Sequence, residues 1–251
     1  MREIAYAKLN LALHVRGREA DGYHRIETLF AFCEEGDVLT AAPADALSLA
    51  VTGPFAGALG DPEDNLVMKA ARAVGAKAAL TLDKRLPVAA GLGGGSADAG
   101  ALLRMFGGSM EMAAALGADV PACLLSRTAR GAGKGDKVEP VELGLAGMPV
   151  LLVNPGIALS TAAVFAAWDG VDRGPLGDWE SGRNDLEAPA RRLVPEIADV
   201  LGSLGGARIA RMSGSGATCF GLFESEAARD GAAGRIAAAR PRWWVSQTRL
   251  R

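Results

Sequence analysis

Residues 87–104 read PVAAGLGGGSADAGALLR, from Pro87 to Arg104. Gly91, Gly93, Gly94 and Gly95 crowd into one short loop with Leu92 among them. From Ser96 onward Ala97, Asp98, Ala99, Ala101, Leu102, Leu103 and Arg104 are mostly good helix formers. The pattern predicts a flexible glycine loop that empties into a helix starting at Ser96 and ending near Phe106. Glycine takes positive φ and lets a ligand approach bare backbone. The helix start adds unpaired N–H groups and a partial positive charge. Together these suit a phosphate, and the alternative is a mobile surface turn. Three familiar motifs are excluded by single residues. A Walker loop needs a lysine after its last glycine, where Ser96 stands; a dinucleotide fingerprint needs glycine at Ser96; a nucleophile elbow around Ser96 needs glycine at Asp98.

Upstream, residues 3–15 alternate. Ala5, Ala7, Leu9, Leu11, Leu13 and Val15 fall on one face, and Tyr6, Lys8, Asn10, Ala12 and His14 on the other. Period two predicts a strand. Lys8 and Asn10 then point the same way, about 7 Å apart. They belong either to a solvated outer face or to a site that binds a transferring phosphoryl group. Asp21-Gly22-Tyr23-His24 follows as a turn leading into a strand. Further strands are expected around Ile26–Phe32, Val38–Thr40, Leu47–Val51 and Ala78–Leu82, with a helix from Leu66 to about Gly75 that Asn65 would cap. After Phe106, Gly107-Gly108 stops the helix, and a second spans Ser109–Leu116. Asp119-Val120-Pro121 has the form of a helix start, with Asp119 as its cap. Gly131 to Asp136 reads as a hairpin turn.

A junction is expected near Gly144–Pro149. Beyond it the elements read strand (Val150–Val153), helix capped by Ser160, helix from Asn184 to about Leu201, strand–turn–strand over 207–223, helix from Glu226 to Ala239, and an edge strand Trp243–Leu250. This is a ferredoxin-type layer.

The phosphate-loop run, with Ala7-Lys8-Leu9-Asn10-Leu11, Leu116-Gly117-Ala118-Asp119-Val120-Pro121 and Met212-Ser213-Gly214-Ser215-Gly216-Ala217-Thr218, resembles the GHMP kinase superfamily, small-molecule kinases named for galactose, homoserine, mevalonate and phosphomevalonate. The resemblance spans nearly the full chain with the motifs in order. It implies an α+β class: the two-domain GHMP kinase fold, with residues 1–145 as the N-terminal domain and 146–251 as a ferredoxin-like C-terminal domain closing the cleft. It implies Lys8 and Asp119 as the catalytic pair. Pro87, Val88, Ala89, Ala90, Gly91, Leu92, Gly93, Gly94, Gly95, Ser96 and Ala97, with Asn65, would hold ATP, with Mg2+ expected and its ligands not legible.

Gly17-Arg18 and Asp21-Gly22-Tyr23-His24 resemble the branch acting on a methylerythritol that bears a cytidine diphosphate group, in non-mevalonate isoprenoid synthesis. The implied substrate contacts are Asn10, Tyr23, His24, Thr161 and Phe165, with Tyr23 and Phe165 on two sides of the cytosine. That tetrapeptide speaks against a mevalonate or homoserine kinase. Retention of Lys8 and Asp119 speaks against a nucleotide-binding module without catalysis. Members of the superfamily carry bulky aromatics after the proline, where this chain has Ala122 and Cys123.

Bulk composition agrees. The chain has 251 residues, 49% hydrophobic and 22% charged, with a net charge of −2, which argues against a general nucleic-acid partner. Two histidines, His14 and His24, make a histidine-rich metal site improbable. Cys33, Cys123 and Cys219 sit far apart among apolar neighbours, as reduced core thiols do. No signal peptide or membrane-spanning run is read. The expectation is a cytoplasmic monomer or weak homodimer acting on small molecules.

Overall fold

The alternation at the start of the chain becomes β1 (Arg2–Arg18) in the structure, a computed structural model that describes residues 1–251 apart from the side chain of Pro62. β1 pairs antiparallel with β2 (His24–Pro43), and the register shifts between Tyr6 and Lys8, Asn10 and Ala12, and Val15 and Gly17. Such irregularities bend a strand and re-aim its side chains. Both faces of the middle of β1 are buried. Lys8 and Asn10 are therefore not on a solvated outer face.

β2 is one strand of 20 residues, where the sequence suggested separate pieces. The charged stretch around Glu34–Asp37 looks like a loop but is not. Gly36 lies so close to β1 that a Cβ there would sit 2.3 Å from the Ala5 carbonyl oxygen. Asp37 is fully buried against an ammonium, so its charge is a packing feature of the strand.

β3 (Ser48–Thr52) runs parallel to β4 (Ala78–Asp83), and β5 (Ala129–Gly133) and β6 (Lys137–Pro140) form the expected hairpin. The sheet order is β3-β4-β2-β5-β6, with β1 also on β2. Four helices, α1 (Leu66–Ala73), α2 (Gly94–Phe106), α3 (Met110–Leu116) and α4 (Val120–Leu125), contribute to its core. That core joins Phe30, Phe32 and Leu82 to Val67, Leu102 and Val120. Each large apolar side chain buried here contributes about 1.5–3 kcal/mol. Ala122 and Cys123 pack into this core, and Gly100 of α2 touches the Cys123 backbone. The small residues permit a close α2–α4 approach.

α2 begins at Gly94, two residues before the expected Ser96. Gly93 caps it at φ +63°, and the Ala97 N–H donates to the Gly93 carbonyl at 2.8 Å. The last glycines are thus both loop and helix.

The second sheet, β7 (Pro149–Asn154), β8 (Ile209–Met212), β9 (Cys219–Leu222) and β10 (Trp244–Arg249), is antiparallel in the order β10-β7-β9-β8. With α5 (Thr161–Ala166), α6 (Glu187–Leu193), α7 (Glu196–Ser203) and α8 (Glu226–Ala239), it makes a ferredoxin-like layer. The single helix expected from Asn184 to Leu201 is broken between α6 and α7. Pro195 cannot continue a helical hydrogen-bond ladder, and Val194 before it leaves the helical region at φ −134° and ψ 88°.

The two sheets meet in a shared core where Ala7, Leu9 and Leu11 of β1 face Val150, Leu152, Phe220 and Leu222, together with Leu86 and Leu92 beside the glycine loop. The three cysteines are buried and unpaired, and burial pushes their thiols well above the usual range. No described helix is long and apolar enough to cross a membrane.

Candidate active site

The glycine loop is fixed at both sheets. Ala89, Gly91 and Gly93 take positive φ. The Lys8 N–H donates to the Leu92 carbonyl at 2.9 Å, tying the loop to β1. On the other side lies the turn at residues 213–218. Ser213 Oγ donates to the Gly91 carbonyl at 2.9 Å, and the Thr218 N–H donates to the Ala90 carbonyl at 3.1 Å. A Cβ on Gly91 would sit 2.3 Å from the Ser213 carbonyl oxygen. Overpacking costs about 1–3 kcal/mol and a non-glycine residue at positive φ about 1–2 more. Gly91→Ala is therefore expected to lower unfolding free energy by about 2–5 kcal/mol. Urea denaturation checks this, and a loss below about 1 kcal/mol would mean that the loop and turn do not depend on this contact.

Lys8 runs beneath the loop. Its Cε would lie 2.9 Å from a Cβ on Gly93, so only glycine leaves room for the stem. Its ammonium donates to Asn10 Oδ1 at 2.9 Å and to Asp119 Oδ2 at 3.0 Å, and sits 5.1 Å from the centre of the Phe30 ring. Asn10 is oriented in turn: its amide donates to Thr28 Oγ1 at 2.8 Å, and that hydroxyl donates to the Ala12 carbonyl at 2.7 Å.

Asp119 stands at the cap position of α4, yet its side chain makes no capping hydrogen bond. The carboxylate turns to Lys8 instead. The Lys8 side chain is 4% exposed and that of Asp119 36% exposed. The acid is thus anchored by a buried cation while still open to a ligand. Residues 111 apart in sequence meet at the head of the loop.

A cleft of about 880 Å³ runs from Gly91 and Gly93–Ser96 past Lys8, Asn10 and Asp119 to Tyr23, His24 and Phe165. A neighbouring hollow of about 300 Å³ is lined by Asn65, Leu66, Pro87, Val88, Ala89 and Gly94. Ala90 also lines the cleft, while Leu92 and Ala97 are buried beneath it. Asn65 does both things its position allows: it accepts the Val67 N–H at 2.9 Å as a helix cap and faces the hollow.

At the far end His24 and Phe165 rings lie 4.8 Å apart, tilted by 31°, and Trp168 meets His24 edge-on at 5.6 Å. Burial, and secondarily Arg18, lowers the His24 pKa, which favours a neutral imidazole able to donate and accept. Tyr23 is 57% exposed and carries the Lys134 ammonium 4.0 Å from its ring centre. Asp21 holds both neighbours, accepting the Tyr23 N–H at 3.0 Å and pairing with Lys134 at 2.7 Å. Thr161 and Ser215 hydroxyls are 2.8 Å apart.

Three contributors escaped the sequence reading. Lys134 sits at the tip of a hairpin, and nothing local says that the tip enters a cleft. Trp168 lies just past α5, and nothing in its local sequence places it against His24. Asn184 opens the expected helix; its Oδ1 accepts the Leu186 N–H, and its amide also donates to the Met212 and Gly214 carbonyls at 2.8 Å each and so pins the turn against the loop. Among the described residues no cluster of three histidine, cysteine or acidic side chains could hold a metal by itself.

A phosphate-type loop heading α2 beside a ferredoxin-like layer defines a class. The model of the GHMP kinase N-terminal domain matches residues 65–127, and that of the GHMP kinase C-terminal region matches residues 172–241. The class is that of the GHMP kinases.

Relatives narrow it. The chain is 56% identical to a 4-diphosphocytidyl-2-C-methyl-D-erythritol kinase of Rhizorhabdus wittichii, over 99% of this chain and 94% of the relative. It is 51% identical to the enzyme of that name from Paracoccus denitrificans, over 99% and 96%. A crystal structure of 4-(cytidine 5'-diphospho)-2C-methyl-D-erythritol kinase superposes with a TM-score of 0.82 at 35% identity, covering 99% of each chain. The chain belongs to the 4-diphosphocytidyl-2-C-methyl-D-erythritol kinase family.

Proposed function

We propose that the protein transfers the γ-phosphoryl group of ATP to the 2-hydroxyl of 4-diphosphocytidyl-2-C-methyl-D-erythritol, giving the 2-phosphate and ADP in non-mevalonate isoprenoid synthesis. The observation that carries this reading is the Lys8–Asp119 pair, 3.0 Å apart, on the cleft that the glycine loop heads. Asp119 takes the proton of the acceptor hydroxyl. The 2-hydroxyl oxygen of the acceptor then forms the new bond to the γ-phosphorus while the bond from that phosphorus to the β,γ-bridging oxygen breaks and ADP leaves. Lys8 stabilises the charge that develops between them. Loop N–H groups from Gly91 to Ser96 cradle the phosphates, with the nucleoside toward the Asn65 hollow.

Magnesium fits this donor set without a protein cage. An ion held largely by water and nucleotide phosphates would need only one or two oxygens from the protein. The Ser96 hydroxyl, on the cleft wall at the first turn of α2, is the residue to supply one. When bound, the ion neutralises phosphate charge. The cytosine lies against the aromatic end, where His24 can hydrogen-bond its edge and Tyr23 and Phe165 offer faces. Lys134 supplies a cation for the diphosphate, and Asn10 and Thr161 position the polyol. In this reading residues 1–145 and 146–251 act as two halves around one small-molecule site, in a cytoplasmic protein.

Coupled ADP release with a panel of acceptors tests the assignment. The cytidylyl acceptor is expected to exceed mevalonate and homoserine by at least about 10²-fold in kcat/KM. Equal rates, or a preference for either alternative, would refute it.

A further inference from the structure

A second charged cluster lies under the loop, and through Lys84 and Asp98 it forms part of the floor of the Asn65 hollow. Lys84, the residue after β4, is 2% exposed, as is Asp98 of α2, and Asp37 of β2 is fully buried. The Lys84 ammonium donates to Asp37 Oδ2 at 2.5 Å and to Asp98 Oδ2 at 2.8 Å. The other oxygen of Asp37 accepts the backbone N–H groups of Arg85 and Leu86 at 2.6 and 2.8 Å. Those two residues lead directly into Pro87.

The cluster therefore grips both ends of one loop. Asp37 holds the segment that enters it. Asp98 belongs to the helix that leaves it. Lys84 joins the two carboxylates. The ammonium also lies against the first turn of α2, where a Cβ on Gly94 would be 3.0 Å from Nζ. A side chain at residue 94 would push the cation away.

Stability alone is a poor reason for this arrangement. A buried lysine with two carboxylates is expensive to desolvate, and apolar residues of similar volume do as well or better. Asp98 Oδ1 is buried with no hydrogen-bond partner, a cost a purely structural cluster would shed. Burial pushes the Asp98 carboxyl above the usual carboxylate range, and the Lys84 ammonium opposes that shift. What the cluster supplies is fixed geometry between the two ends of the loop and a cation beneath the N–H groups of the first turn.

We propose that Lys84, Asp37 and Asp98 are positioning residues that set the shape of the phosphate loop, so that their loss weakens nucleotide binding and leaves acceptor binding intact. This rests on the reading of Pro87–Ala97 as the ATP site. Lys84→Met/Asp98→Asn removes one cation and one carboxylate and leaves Asp37 its two backbone donors. Asp98→Asn alone keeps the shape and removes a single charge, and it decides the matter if the double variant does not fold. Calorimetric titration of ADP into the full chain is run beside acceptor kinetics, with thermal unfolding to confirm that each variant is folded.

The ADP Kd is expected to rise at least about tenfold in the double variant and about threefold in Asp98→Asn, with acceptor KM within about twofold of wild type. An ADP Kd within about twofold of wild type in every folded variant would overturn the proposal. So would a parallel loss of ADP and acceptor binding, which assigns the cluster to general stability. Failure of the wild-type protein itself to bind ADP would instead overturn the ATP-site reading.

Discussion

Asp119→Asn is expected to lower kcat by about 10²–10⁴-fold while ADP still binds with its original affinity. Asparagine keeps the size and the oxygen that Lys8 contacts but cannot accept the acceptor's proton. The side chain makes no capping bond to α4, so the substitution has no helix start to damage. Its partial exposure means that little burial energy is at stake either. Single-turnover quench experiments with calorimetric ADP titration separate chemistry from binding. Activity within about tenfold of wild type would remove Asp119 as the base.

Lys8→Met is expected to cost about 10²–10³-fold in kcat, the scale for losing one preorganised group that meets developing charge. Methionine preserves the stem that lies along Gly93, so the loop keeps its support. Asp119 loses its cation but is open enough to be hydrated. Asn10 loses a donor to Oδ1 and retains its bond to Thr28. The loss should fall on kcat more than on ATP KM. An effect confined to ATP KM would make Lys8 a nucleotide ligand rather than a stabiliser of the transferring group.

Much of this site was legible because its parts are local. The glycine run and the helix formers after it announce a loop feeding a helix, and alternation along β1 puts Lys8 and Asn10 on one side. The meeting of Lys8 with Asp119 was carried by resemblance to a superfamily, since no periodicity links positions so far apart. Where local pattern misled, a tertiary contact outweighed it. Glu34–Asp37 has the charge of a loop, but Gly36 against Ala5 and Asp37 against Lys84 keep β2 whole. The helix after Asn184 carries a breaker in Pro195 that apolar spacing concealed. Lys134 and Asn184 act across the fold on the cleft and on the 213–218 turn, and neither has a neighbour in sequence that betrays it.

The most direct test is a crystal structure of the full chain with a non-hydrolysable ATP analogue and the cytidylyl acceptor. The terminal phosphate is expected over the first turn of α2, with the acceptor 2-hydroxyl within about 3.2 Å of an Asp119 carboxylate oxygen and the cytosine beside His24 and Phe165. A 2-hydroxyl more than about 6 Å from Asp119 with both ligands fully bound, too far even for a bridging water, would contradict the account.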